Sequence, residues 1–124
     1  MSRSPVSVSD ARRRVLCERC TVADRPLSRL RGLLGRSELP PGEGLLLRPS
    51  PSIHTWFMRF PIDALFLDRD LCVLAVRREL RPWRMAWQKG ARAVLELSAG
   101  EAQMRNIRPG DRLVLEAGGG DDGR

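Results

Sequence analysis

The chain has 124 residues, a formal net charge of +7 and a basic set that is arginine throughout except for Lys89. That length supports one hydrophobic core and excludes two, no run approaches the roughly 18 apolar residues of a membrane span, and residues 1–10 lack the apolar centre of a secretion signal, so a cytoplasmic protein with no membrane partner is expected. The positive charge suits nucleic acid, but the arginines are scattered and many stand beside acids, as in Asp68-Arg69-Asp70 and Asp111-Arg112, so weak nonspecific binding is the most that is expected.

Residues 1–13 are rich in serine and arginine without periodicity and are expected to form a loose N-terminal arm. Residues 15–23 alternate as an edge strand would. Cys17 and Cys20 lie in it at a metal-knuckle spacing, but no second such pair follows. Cys72 sits in an aliphatic run, where a small apolar side chain is at home. No metal, no cofactor and no disulfide scaffold is therefore expected. Asp24 and Pro26 open a short helix in which Leu27, Leu30, Leu33 and Leu34 share one face. Arg29 and Arg31 lie among them, and Arg36 follows Gly35. The Pro- and Gly-rich run 39–44 is a turn, and Leu45, Leu46 and Leu47 form a short buried strand.

The stretch 53–68, IHTWFMRFPIDALFLD, holds the one histidine and the densest set of polar groups among apolar ones. His54, Trp56 and Met58 share one face of a strand; Ile53, Thr55 and Phe57 take the other. Pro61 breaks the ladder, and a second strand follows with Asp63 at its entrance. A carboxylate so placed needs partners, which Arg59 or the N–H groups of the bend can supply. Asp68-Arg69-Asp70 then turns a hairpin into residues 71–76. Residues 77–90 read as a long loop that carries Trp83, Met85 and Trp87 and folds back over the core, either as a lid or as fixed cover. Residues 93–97 form a strand with Glu96 facing away from its leucines. A helical turn runs from Gly100 to Met104, a last strand spans 112–116, and the glycine-rich residues 118–124 form a loose tail.

Short strands between frequent turns make the chain mostly β: one domain over 14–117, a compact β-sandwich or distorted barrel with one or two short helices. Arg29-x-x-Gly32-Leu33-Leu34-Gly35-Arg36, Gly44-Leu45-Leu46 and His54-Thr55-x-x-Met58-Arg59-Phe60-Pro61-Ile62-Asp63-x-x-Phe66-Leu67-Asp68 resemble the prokaryotic family called domain of unknown function 192. Pro82, Leu95-Glu96-Leu97-x-x-Gly100 and Gly110-Asp111 stand in the order usual for it. The resemblance spans about residues 23–116; it implies a β-rich sandwich or barrel and no known reaction.

The residues to examine are Arg29, Arg36, His54, Met58, Arg59 and Asp63, the polar or soft members of those motifs. As ligand-binding candidates they suit a small non-enzymatic binding or structural domain, with arginines for an anionic ligand or peptide. The alternative is a hydrolytic or acid-base enzyme with His54 as base and Asp63 as its acid. No serine or cysteine stands in a nucleophile setting, so no catalytic residue is assigned.

Overall fold

The computed structural model describes residues 6–23, 39–55 and 59–117. In chain order they form β1 (Val6–Asp10), β2 (Val15–Ala23), β3 (Glu43–Leu47), β4 (Ser52–His54), β5 (Ile62–Leu67), β6 (Val73–Leu80), β7 (Met85–Trp87), β8 (Ala93–Ser98), the one-turn helix α1 (Glu101–Met104) and β9 (Leu113–Ala117). Seven strands make a mixed sheet in the order β6-β5-β8-β3-β2-β1-β9, and β4 pairs with β7 in a separate two-stranded sheet. The large sheet curls until its outer strands approach. A bridge joins Cys72 to Arg112, and Val73 and Leu113 donate to the carbonyls of Asp111 and Leu71 at 2.8 and 2.9 Å. The result is a mostly β fold of the distorted-barrel kind.

Curling gives the sheet an interior and an exterior. Val8, Leu16, Cys17, Leu46, Leu65, Leu95, Leu97 and Leu113, together with Ala102 and Ile107, fill one buried cluster. Leu45, Leu47, Ile62, Ala64, Phe66 and Val94 point the other way and are covered by Leu39 and by Ile53 and Ala86 of the small sheet. Strands β3, β5 and β8 are thus buried on both faces, which is why they read as nearly unbroken apolar runs.

Several expectations change. Val6–Asp10, assigned to a loose arm, is a strand held between β2 and β9, and β2 is therefore interior rather than an edge. Half of the 77–90 loop is strand: β6 continues to Leu80, and Met85–Trp87 pairs with Ser52–His54. Its tryptophans do not fold onto the core; Trp83 and Trp87 are 58% and 59% exposed, and Ala86 is the residue that turns inward. The helix expected around residues 27–35 and the tail 118–124 lie outside the described residues.

Thr55 anchors the small sheet. It is wholly buried; its hydroxyl donates to the Arg81 carbonyl at 2.6 Å and accepts from the Arg84 N–H at 2.8 Å. Its own backbone completes the clamp through the Arg84 carbonyl and the Trp83 N–H. Thr55→Val keeps the shape and leaves a buried donor and acceptor unmatched, so urea unfolding should show a loss of about 2 kcal/mol.

Candidate functional site

Asp63 sits where β5 faces an irregularity in β6. Ile62 pairs with Leu80 and Ala64 with Arg77, so two residues of β6 oppose one of β5, and Glu79 takes a φ of 51°. A bulge leaves an N–H outside the ladder. The Asp63 carboxylate accepts it: Oδ1 takes the Glu79 N–H at 2.8 Å, while Oδ2 takes those of Gly100 and Ala102 at 3.0 and 2.8 Å. One wholly buried side chain thereby closes a bulge and supplies the first turn of α1 with an acceptor.

That geometry decides the acid-base pair. Both Asp63 oxygens are engaged by backbone donors, and neither His54 nor Arg59 is among its partners. His54 and Arg59 are exposed, whereas Asp63 has no exposure. His54 therefore has no orienting acid in Asp63, and the carboxylate has no access to a substrate. Arg29, Arg36 and Met58 lie outside the described residues.

Glu96 faces away from Leu95 and Leu97, as the alternation of its strand requires, and so projects onto the covered outer face of the sheet, between Leu45 of β3 and Ala64 of β5, where it is 3% exposed. No described residue gives its carboxyl a hydrogen bond or a counter-charge, and burial pushes its pKa up from 4.5 to about 8. It is a neutral acid at neutral pH.

Cys17 and Cys20 are both wholly buried in the barrel interior, brought to one face by an irregularity in which Cys17 opposes Val8 and Cys20 opposes Val6. A hydrogen bond from Cys20 draws the Cys17 thiol below its ordinary pKa, and the same bond with burial raises Cys20. Cys72 is half-buried at the seam of the barrel. Among the described residues no three histidines, cysteines or acids converge as a metal site.

The arginines that do converge are others. Arg48 leaves the end of β3, Arg92 enters β8, and Arg69 lies in the turn after β5: three adjacent strands, one end of the sheet. Backbone bonds fix two of them: the Ser50 N–H donates to the Arg92 carbonyl at 3.0 Å, the Arg92 N–H to the Leu67 carbonyl at 2.7 Å, and the Arg48 N–H to the Ala23 carbonyl at 3.1 Å. They surround a groove of about 310 Å³ whose remaining lining is Pro49, Leu71 and Ala93. No acid lines it, and no described residue accepts a side-chain bond from Arg48, Arg69 or Arg92. Leu71 is held at a φ of 65°, an uncommon conformation for a leucine. The Asp68 carboxylate stabilises that turn by accepting the Asp70 and Cys72 N–H groups at 2.8 and 2.9 Å. A second recess, of about 290 Å³, is lined by Asp10, Arg14, Arg108 and Asp111 among others. It is a mixed-charge recess: Arg14 meets Asp10 at 2.6 Å, the Asp111 carboxylate accepts the Arg108 backbone N–H at 2.9 Å, and Arg12 and Arg112 complete its basic lining.

Neither Arg48 nor Arg92 belongs to a motif that stands out in the chain, and Arg69 stands between two acids. Their common feature is topological, because β3 and β8 become neighbours only through a long-range antiparallel pairing.

The family model of domain of unknown function 192, described as "Uncharacterized ACR", matches residues 7–115. A UPF0127 protein of Thermococcus sibiricus is 31% identical over 118 residues, covering 88% of this chain and 73% of that protein. Another, from Pyrococcus abyssi, is 32% identical over 99 residues, with coverages of 74% and 81%. Among solved structures, a protein of unknown function from Novosphingobium aromaticivorans superposes with a TM-score of 0.77 at 27% identity, covering 89% of this chain and 83% of that one. A Sinorhizobium meliloti protein whose name proposes a role in transcription regulation superposes with a TM-score of 0.82 at 25% identity, covering 93% and 96%.

Proposed function

The chain belongs to the uncharacterized family of domain of unknown function 192, and from its own geometry we propose that it is a non-enzymatic binding domain for a small anionic ligand, seated at Arg48, Arg69 and Arg92. The observation that carries this reading is three guanidinium-bearing side chains around one groove without an acid in its lining. Three guanidinium groups around one groove repel one another, and a carboxylate or phosphate relieves that repulsion while accepting their planar donors. Pro49, Leu71 and Ala93 give the groove an apolar wall, so an anion with a short hydrocarbon body fits better than a bare one.

Titration with inorganic phosphate and with hexanoate, followed by the backbone amide signals of Arg48, Arg69 and Arg92, tests it. Saturable shifts are expected for both, larger for hexanoate at Leu71 and Ala93. Each charge-assisted contact is worth about 1.5 to 3 kcal/mol, so Arg92→Gln should weaken binding by roughly 10- to 100-fold. Absence of saturable shifts at low salt, or an unchanged affinity in Arg92→Gln, would remove the reading.

A further inference from the structure

The segment between Leu80 and Leu95 contains Arg81, Arg84, Lys89 and Arg92 and no acid. The same segment carries three large apolar side chains in the open: Trp83, Met85 and Trp87 are 58%, 66% and 59% exposed. Their exposure follows from the strand geometry. In β7 the period of two sends Ala86 inward against Ile53, and it sends Met85 and Trp87 outward beside His54 and Ser52. Trp83 stands just before the strand with a φ of 63°, uncommon for an aromatic residue. Its N–H is tied to the Thr55 carbonyl at 3.0 Å and the following N–H to the Thr55 hydroxyl at 2.8 Å, so the backbone that presents the ridge is fixed from both sides.

Tryptophan and methionine in water with arginine and lysine around them describe a surface matched to a partner that is negative outside and apolar beneath. A bilayer with anionic headgroups has that layering: the cations meet the headgroups, and the indoles, amphipathic and rigid, settle at the level between headgroup and chain. We propose that the ridge formed by Trp83, Met85 and Trp87, flanked by Arg81, Arg84 and Lys89, is a docking surface for an anionic lipid bilayer. This does not depend on the arginine groove being a ligand site. The ridge lies on a two-stranded sheet that packs through Ile53 and Ala86, so its outer face can be changed without touching the core.

Co-sedimentation with vesicles of phosphatidylcholine alone and of phosphatidylcholine with a third phosphatidylglycerol tests the proposal on the full chain. Binding is expected to the second only, with a blue shift of tryptophan emission and a loss of at least tenfold between 50 and 500 mM salt. Met85→Ser with Trp87→Ser should lower binding by more than tenfold while leaving the thermal transition and the phosphate titration of the groove in place. The chain staying in solution with both vesicles overturns the proposal, as does full binding by the double variant. A mixed oligonucleotide that binds the parent but not the double variant, with no vesicle binding by either, also overturns it and assigns the ridge to single-stranded nucleic acid.

Discussion

Glu96→Gln is expected to be more stable than the parent at about pH 9 by up to about 5 kcal/mol, and indistinguishable from it near pH 4. In the unfolded chain this carboxyl ionises at its ordinary 4.5; in the folded chain burial holds it protonated to about 8. Between those values the folded state binds the extra proton, so the parent loses stability as pH rises through that window and loses no more above it. Each tenfold difference in proton affinity is worth about 1.4 kcal/mol, which sets the ceiling. Glutamine has nearly the same shape and no charge to desolvate, so its stability should be flat over the window apart from what other groups contribute to both proteins. Urea midpoints of parent and variant at about pH 4, 6, 7.5 and 9 measure the divergence. Parallel curves would mean that water or a counter-charge reaches Glu96 in solution.

Asp63→Ala should lose about 3 to 5 kcal/mol, a large part of the 5 to 15 kcal/mol typical of a domain this size. Three N–H groups, from Glu79, Gly100 and Ala102, lose their acceptor together, and two of them open α1. Asparagine retains one oxygen, which can keep the two bonds now made by Oδ2, but turns an amide donor toward the Glu79 N–H. A smaller loss of about 1 to 3 kcal/mol follows for Asp63→Asn. Asp68 supplies the comparison, since it too is an acid on the same hairpin. Its carboxylate caps an exposed turn where water can replace it, so Asp68→Ala should lose only about 1 kcal/mol. Urea unfolding of the three variants orders them, and equal midpoints for Asp63→Ala and Asp68→Ala would contradict the account of Asp63 as a structural clamp.

What could be read in the chain divides along physical lines. The apolar runs of β3, β5 and β8 announce strands covered on both faces, and the demand of Asp63 for partners follows from its place among aliphatics. Which partners it finds does not, because Gly100 and Ala102 reach it only once β8 has paired with β5. Alternation correctly sets Glu96 on the face opposite Leu95 and Leu97, but it does not say that this face is covered too, by Leu39 and by Ile53 and Ala86 of the small sheet. Val6–Asp10 has too few apolar residues to declare itself and becomes a strand through pairing on both sides. The arginine groove was least legible, since its members come from three separate segments that only the sheet order unites. The candidates drawn from contiguous motifs fared differently: Asp63 serves the architecture, and His54 pairs across the small sheet and is not among the partners of Asp63.

The seam of the barrel is short, and beyond it the outer margin of β6 runs on past Val73 with no further strand paired to it among the described residues. A strand margin of that kind is ordinarily an invitation to another chain, which can add its own backbone and start a growing array. Here that margin is interrupted: Arg77, Arg78 and Glu79 stand exposed along it, and the bulge that Asp63 holds turns the line of amides out of register at the same point. The carboxylate that secures the fold thus also holds in place an irregularity of the kind that makes a strand edge a poor template for another chain.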